Sequence, residues 1–216
     1  MNTSRKLPIY YGWWVLVSSC LIIFLAGTCL FGFSAYYPSF IESFGWSRTR
    51  IVLGSSFMLW TFGVTGLVWG TVADRRGVRV VLAIGTTCVA LAYLLYTQMS
   101  ALWQFYAIAI IYGAGLSAMA YLPNQILQSR WFTRRRGLAI GIVTSASAVG
   151  GIVAPVLITF LIMRVGWRST MGLFDVLLWI VPFLLIIFVI RERPEDIGLH
   201  PDGAVEMPAT TNVLQG

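Results

Sequence analysis

The chain has 216 residues, of which 58% are hydrophobic and only 11% are charged. Soluble domains carry about 25% charged residues, so this composition excludes an ordinary water-soluble domain and indicates a chain surrounded by lipid. The net charge of +7 does not indicate nucleic-acid binding, because the charged residues lie in short breaks between apolar runs and not on one face.

Six apolar runs follow one another along the chain, with only short polar breaks between them. They occupy residues 11–36, 51–72, 80–99, 102–126, 138–163 and 171–190. Each run is about long enough to cross a hydrocarbon core of roughly 30 Å as a helix. Backbone groups cannot stay unpaired in lipid, so runs of this length are predicted to be helical. The expected fold class is an all-α membrane protein with six transmembrane helices.

Three regions follow from these runs. Residues 1–10 form a short basic N-terminus, residues 11–190 a single six-helix transmembrane domain, and residues 191–216 a polar, turn-rich tail. We predict that this tail is a linker-like segment outside the membrane.

Positive charges set the expected orientation. If the six runs cross the membrane in turn, eleven of the fifteen Lys and Arg residues fall on the side that also holds both termini. The four on the other side are Arg48, Arg50, Arg164 and Arg168. The positive-inside rule therefore predicts a multi-pass protein of the cell membrane, surrounded by lipid bilayer, with both termini in the cytoplasm.

An internal repeat is visible in the breaks. The sequence Arg-Arg-Gly-Val-Arg at residues 75–79 precedes the third run, and Arg-Val-Gly-Trp-Arg at residues 164–168 precedes the sixth, 89 positions later. Runs one to three are therefore predicted to correspond to runs four to six. An odd number of helices in each copy inverts the second copy in the membrane, and such inverted three-helix repeats are typical of transporters.

The break between the second and third runs resembles a family motif. It matches Gly-x-x-x-Asp-Arg-x-Gly-x-Arg, the loop between the second and third helices of the major facilitator superfamily. The matching residues are Gly70, Asp74, Arg75, Gly77 and Arg79. Segments 11–14, 44–48, 129–141 and 193–199 are similar to the monocarboxylate and oxalate/formate transporter-like branch of that family.

The resemblance implies one half of a transporter. Family members have twelve helices in two six-helix halves with the substrate between them, and this chain has six runs. The resemblance implies a secondary transporter that works by alternating access on a small organic solute, with an anionic monocarboxylate as the candidate class. It also implies a partner, a second six-helix unit in a homodimer or a separate chain. The alternative is a non-transporting membrane protein, either truncated or serving as an interaction subunit.

The resemblance also assigns roles to the loop. In the family the motif aspartate pairs with a helix of the other half, and the arginines hold the cytoplasmic side closed. By this resemblance Asp74, Arg75 and Arg79 are gate residues, in a cytoplasmic gate motif that also includes Gly70 and Gly77. Without the resemblance, the same loop would be a solvated cationic turn that only fixes orientation.

Polar and aromatic residues in the first and fourth runs are candidates to line a solute path, because the family's first and fourth helices do so. These residues are Thr28, Phe31, Ser34, Tyr36, Ser117, Tyr121, Asn124 and Gln125. Hydrogen bonding between helices is the alternative explanation for the polar members. Pro123 is expected to kink the fourth helix.

Two further features have alternative interpretations. Asp175 is the one acid well inside a run, so it is a candidate for ion or proton coupling, unless it pairs with Arg168 near the membrane surface. The fifth run carries small residues at a spacing of four, which permit close helix approach either within the six-helix unit or against a second unit.

No enzyme chemistry is expected. The one histidine, His200, lies in the tail, and the sequence has no metal-ligand spacing, nucleophile triad or nucleotide-binding loop. The prediction is accordingly a non-enzyme without a cofactor or metal.

Overall fold

The computed structural model describes residues 10–201, and in this range the chain is helical without β-strands. The first span comprises α1 (Tyr11–Gly32), a 3₁₀ turn (Phe33–Tyr36) and α2 (Tyr37–Phe44). The second and third spans are α3 (Arg48–Arg76) and α4 (Val78–Gln98), and the fourth consists of α5 (Leu102–Met119) and α6 (Tyr121–Trp131). The last two spans are α7 (Arg136–Val165) and α8 (Trp167–Phe188), followed by a 3₁₀ turn (Pro194–Ile197).

The prediction of six apolar helices is confirmed, although several helices extend beyond their apolar runs. The second span continues to Arg76 and the fifth begins at Arg136, both within polar flanks. Hydropathy detects only the part of a helix that meets hydrocarbon, whereas the helix itself ends where the backbone changes direction. Gly45, Gly77 and Gly166 supply those changes, each with a positive φ.

The helices pack in pairs that match the predicted repeat. Helix α1 packs along α7, α3 along α5, and α4 against both α5 and α8. In the predicted repeat, the first span corresponds to the fourth and the second to the fifth. The contact between the first and fifth spans, α1 with α7, should therefore have a counterpart between the fourth and second spans, α5 with α3. Both contacts are present.

Glycines allow the closest of these contacts. A Cβ at Gly27 of α1 would meet the backbone of Ser147 in α7, and one at Gly150 of α7 would meet the carbonyl of Phe24 in α1. Small residues of the fifth span therefore pack within the six-helix unit, as one of the two interpretations expected. Gly137 and Gly141, on another face of α7, have no neighbour within 4 Å of a built Cβ.

Two turns in the bundle have the same backbone conformation. Gly77 joins α3 to α4 with φ 93° and ψ 157°, and Gly166 joins α7 to α8 with φ 80° and ψ 161°. The N–H of each glycine donates to the carbonyl four residues earlier, at 3.1 Å from Ala73 and 2.9 Å from Ile162. The two copies of the sequence repeat therefore fold into equivalent single-glycine turns at opposite ends of the bundle.

The beginning of the tail folds back on the bundle. The hydroxyl of Tyr11 donates to the Val189 carbonyl at 2.8 Å, and the indole of Trp131 donates to the Arg191 carbonyl at 2.9 Å. The hydroxyl of Tyr10 lies 3.1 Å from the His200 carbonyl. Up to residue 201 the tail is therefore attached to α1 and α6 and does not extend freely as a linker would. Residues 1–9 and 202–216 of the predicted N-terminus and tail lie outside the described residues.

Candidate functional site

Asp74 and Arg75 lie at the last turn of α3, and both side chains are exposed. Within residues 10–201 neither forms a hydrogen bond or an ion pair. The carboxylate of Asp74 lies at the C-terminal end of a helix, where the helix dipole disfavours a negative charge. Both side chains are thus accessible to a partner beyond the described chain.

Arg79 points into the bundle. Its guanidinium donates to the carbonyl of Ile186 at 3.0 and 3.2 Å and to that of Ile187 at 3.2 Å, both in the last turn of α8. The last carbonyls of a helix have no partner within it, and a cation at that end also interacts favourably with the dipole. The three charged motif residues therefore divide into an exposed pair, Asp74 and Arg75, and a structural arginine, Arg79, that ties α4 to α8.

Glu192, which sequence reasoning did not single out, completes this end of the bundle. Its Oε1 accepts the backbone N–H of Arg79 at 3.2 Å, and its Oε2 lies 3.1 Å from Nη1 of Arg130 at the end of α6. A Cβ at Gly77 would collide with the Glu192 carboxylate, so the motif glycine makes room for it. The only feature of the sequence that could have indicated this role is the position of Glu192 as a single acid between Arg191 and Arg193.

The eight candidate path-lining residues divide evenly by exposure. Those with exposed or half-exposed side chains are Phe31, Ser34, Tyr121 and Gln125. Those buried inside the six-helix unit are Thr28, Tyr36, Ser117 and Asn124. Gly150 lies against Thr28, and Gly66 lies near Ser117, so neighbouring helices approach these two side chains closely. Thr28 also borders an apolar groove of about 240 Å³ between α1, α7 and α8.

Two of the exposed candidates, Phe31 and Tyr121, contact one short stretch of α7 at the buried Ser147 and at Gly151. We call these four residues the α7 patch. The hydroxyls of Tyr121 and Ser147 are 2.9 Å apart. The ring of Phe31 lies over Gly151, one turn further along, at 2.7 Å from a built Cβ. The patch offers hydroxyl and aromatic contacts without a charged group, and it joins the first, fourth and fifth spans.

The fourth span is interrupted at Ala120, where φ is −80° and ψ −130°, which confirms a break close to Pro123. Pro123 has no N–H to donate to the carbonyl of Met119, four residues earlier. The side-chain amide of Asn124 replaces it and donates to the carbonyls of Met119 and Ala120 at 2.9 and 2.7 Å. Asn124 therefore repairs the helix break, contrary to its expected position on a solute path.

Asp175 lies on the other side of the unit. Its half-buried side chain borders a groove of about 530 Å³ between α4 and α8, together with Thr87, Leu91 and Trp179. The alternative of an ion pair with Arg168 is wrong. Arg168 instead donates to the carbonyls at the end of α4.

Comparison with known proteins decides the family. The family model described as Major Facilitator Superfamily matches residues 19–213. The chain belongs to the Major Facilitator Superfamily. The proton:xylose symporter XylE, solved with bound 6-bromo-6-deoxy-D-glucose, has the same fold over 85% of this chain and 46% of its own, with a TM-score of 0.72 at 16% identity.

Two curated proteins are similar to this chain in sequence. The MFS-type transporter pytF of Aspergillus terreus is 30% identical over 161 residues, which is 73% of this chain and 54% of the relative. The membrane sensor protein UhpC of Salmonella typhimurium is 29% identical over 176 residues, 79% of this chain and 38% of the relative. The chain thus spans about half the length of the curated relatives it matches. Neither is named for a monocarboxylate, so the proposed branch of the superfamily stays a prediction.

Proposed function

We propose that this chain is one half of a secondary-active transporter for a small organic solute, working by alternating access in the cell membrane with its termini in the cytoplasm. The observation that carries the proposal is the α7 patch, in which the exposed Phe31 and the half-exposed Tyr121 of two spans meet the buried Ser147 and Gly151 of a third. Membership of the superfamily supports a transport role. A solute path between two six-helix units follows from the same resemblance.

A second six-helix unit would pack beside the patch, on the open face of α7. Gly137 and Gly141 of α7 and Gly63 of α3 have open space around them, as close approach of further helices requires. Asp74 and Arg75, exposed and unpaired within the described residues, would contact that unit on the cytoplasmic side and help to close it. Ser145, one turn beyond Gly141, extends the small-residue face.

A monocarboxylate is the candidate solute class by motif resemblance. The α7 patch supplies hydroxyl donors in Tyr121 and Ser147, with the amide of Gln125 one turn beyond. Helix α1 and helices α5 to α6 as far as Ser129 contain no basic residue. A carboxylate would therefore need its counter-charge from the second unit, because a charge without a partner is costly in a low dielectric.

Asp175 is retained as the candidate residue for ion or proton coupling.

Uptake by proteoliposomes tests the proposal. Labelled monocarboxylates, dicarboxylates and neutral sugars would be offered to vesicles holding the wild-type chain, Tyr121→Phe or the matched control Tyr106→Phe. The Tyr106 hydroxyl bonds the Arg50 carbonyl, away from the patch. We expect saturable uptake of one solute class that Tyr121→Phe reduces and Tyr106→Phe does not. Equal uptake by both variants would overturn the assignment of the patch.

Association with a second unit is tested separately with two differently tagged copies. Gly141→Leu fills the open face of α7, and Gly172→Leu fills equally open space on α8. If a homodimer closes over α7, Gly141→Leu abolishes copurification of the two tags while Gly172→Leu leaves it intact. Copurification unaffected by Gly141→Leu, with unchanged melting temperatures, would contradict an interface at α7.

Coupling through Asp175 has its own variant. Asp175→Asn keeps the shape of the side chain and removes its titratable group, so any proton-driven component of uptake should disappear. Solute exchange without a proton gradient should persist. Unchanged proton-driven uptake would exclude this role.

A sensor or interaction subunit is the second candidate, favoured by the similarity to a relative named as a membrane sensor protein. The two candidates separate experimentally. A sensor binds solute, as ligand-induced change in tryptophan fluorescence would show, without moving it into vesicles. A transporter does both.

A further inference from the structure

The groove between α4 and α8 contains a carboxyl group that has no counter-charge in the described part of the chain. Asp175 borders this groove, which has a volume of about 530 Å³ and is lined mainly by apolar side chains. Within residues 10–201 Asp175 forms neither an ion pair nor a hydrogen bond. An ionised carboxylate in apolar surroundings is costly unless it is paired, so a cationic partner in the groove would stabilise it.

The basic residues of the two helices do not supply that partner. Helices α4 and α8 contain Arg79 and Arg168 as their only basic residues. Arg79 donates to the Ile186 carbonyl at 3.0 Å and Arg168 to the Thr97 carbonyl at 3.1 Å, so each is held at one end of the bundle. Asp175 lies seven residues beyond Arg168, about 10 Å along the helix axis. The helices that form the groove therefore leave its carboxylate without a counter-charge.

Two other side chains of the groove suit a cation. The Thr87 hydroxyl donates its one proton to the carbonyl of Ala83 at 2.8 Å, so the lone pairs of Oγ1 remain free to accept a hydrogen bond. Trp179 lies one turn after Asp175 on the same face of α8, and about half of its side chain is exposed. The face of an indole ring attracts a cation. One groove thus combines a negative charge, a hydrogen-bond acceptor and an aromatic ring.

The rest of the groove suits an apolar chain. Its walls include Leu91 and Leu94 of α4 and Val176 and Ile180 of α8, which are between 44% and 54% exposed and would face hydrocarbon in a bilayer. The volume of the groove lies within the range of about 300–1,000 Å³ that is usual for ligand sites. An occupant that comes from the lipid and pairs with the carboxylate must therefore join an apolar body to a positively charged group.

We propose that the groove formed by Asp175, Thr87 and Trp179 binds a long-chain amine that enters from the lipid as its ammonium ion. The carboxylate and the Thr87 hydroxyl oxygen would accept N–H bonds from the ammonium group, and the Trp179 ring would lie against the same group. The alkyl chain would follow the leucine and isoleucine side chains of the walls. The groove is separate from the α7 patch, and the inference does not depend on the proposed transport function.

Equilibrium binding of radiolabelled dodecylammonium to the purified chain in phosphatidylcholine nanodiscs tests the proposal. Empty nanodiscs give the background partition into lipid, and dodecanol supplies the same chain without the charge. We expect saturable binding of the amine and none of the alcohol. Asp175→Asn keeps the shape of the side chain and should weaken amine binding by about tenfold or more, as loss of a hydrogen bond to a charged group predicts. Glu42→Gln removes an exposed carboxylate near the beginning of α8 and should leave binding unchanged.

The aromatic contact has its own pair of variants. Trp179→Leu keeps the groove apolar but removes the ring, and it should weaken amine binding by about two- to fivefold, the usual worth of an exposed cation–π contact. The matched control is Trp60→Leu, in a groove of about 440 Å³ on α3 that has no charged lining residue. Trp60→Leu should not change binding. Melting temperatures of the variants confirm that each is folded.

Four results would overturn the proposal. They are the absence of saturable amine binding to the wild-type chain, equal binding of dodecanol, an unchanged affinity in Asp175→Asn, and an equal loss in Glu42→Gln. If a second copy of the chain occupies the groove instead, Trp179→Leu abolishes copurification of two differently tagged copies, which also contradicts an amine site. Binding is measured without solute or a proton gradient, so the result is independent of transport and of coupling through Asp175.

Discussion

Arg79 and Arg168 make equivalent contacts at opposite ends of the bundle. Arg79, at the beginning of α4, donates to the Ile186 carbonyl near the end of α8, and Arg168, at the beginning of α8, donates to the Thr97 carbonyl near the end of α4. The contacts are 3.2 and 3.1 Å long and both use Nε. The two helices thus cap each other, as expected of inverted copies related by a two-fold axis between them.

Loss of either arginine should therefore destabilise the unit. We expect Arg79→Ala and Arg168→Ala each to cost about 1.5–3 kcal/mol, the range for hydrogen bonds to charged groups. Lysine at either site should recover only part of the loss, because it lacks the planar fork. Thermal unfolding in detergent measures the effect, with the exposed Arg75→Ala as control. An equal loss in Arg75→Ala would show that charge alone is responsible.

The two turn glycines should differ in their tolerance of alanine. Both backbone conformations are open essentially to glycine only, at a cost of order 1–3 kcal/mol for other residues. Gly77→Ala would in addition displace the Glu192 carboxylate, whereas a Cβ at Gly166 meets nothing within 4 Å. We expect a larger drop in melting temperature for Gly77→Ala. Equal drops would mean that the Glu192 contact contributes nothing measurable.

Glu192 should stabilise the fold through its two hydrogen bonds together, to Arg130 and to the N–H of Arg79, more than through the ion pair with Arg130 alone. The two side chains are 27% and 22% exposed, so solvent weakens their attraction. Glu192→Ala also leaves the N–H of Arg79 without its acceptor, and it should therefore cost more than Arg130→Ala. A double-mutant cycle on unfolding free energy isolates the pair, and we expect a coupling of about 1 kcal/mol or less.

The break in the fourth span predicts that the loss of stability in Asn124→Ala depends on whether residue 123 is proline. Asn124→Ala leaves the Met119 carbonyl unpaired and should cost about 1–3 kcal/mol. Pro123→Ala restores an N–H that can reach that carbonyl, so Asn124→Ala should cost less in the Pro123→Ala background. Unfolding of the four variants in the cycle measures the difference. Strictly additive costs would show that Asn124 does not compensate for the proline.

Membrane orientation is tested by single cysteines at Arg135 and Arg164, both exposed at opposite ends of the bundle. Arg164 is preferable to Arg168, which is needed to cap α4. We expect an impermeant maleimide added to intact cells to label Arg164→Cys, and to label Arg135→Cys only after permeabilisation. Labelling of both from one side would contradict the positive-inside assignment.

Much of this fold could be predicted from the lengths of the apolar runs and the spacing of motifs in the sequence. Run length predicted six helices, and the spacing of Arg-x-Gly-x-Arg predicted a repeat whose turns fold alike around Gly77 and Gly166. These predictions succeed because lipid enforces helical backbone and because a positive φ is local to its glycine. Pro123 likewise indicated the break at Ala120 from the chemistry of one residue.

The site was less predictable, since it depends on which face of a helix meets which neighbour. Thr28, Tyr36 and Asn124 are polar or amphipathic residues in the expected spans, yet packing encloses them. The role of Glu192 depends on contacts with Arg79 and Arg130, which are 113 and 62 positions away. No spacing rule indicates contacts over such separations.

The hydrogen bond from Tyr10 to the carbonyl of His200 brings the first and last parts of the described chain together. The stretch between these two residues can therefore be circularly permuted, joined there by a short linker and opened elsewhere. Opening it between Gln98 and Leu102 would make a protein that begins with the fourth span and ends with the third. If the two copies are as interchangeable as their turns suggest, this rearranged molecule should still fold into the same bundle.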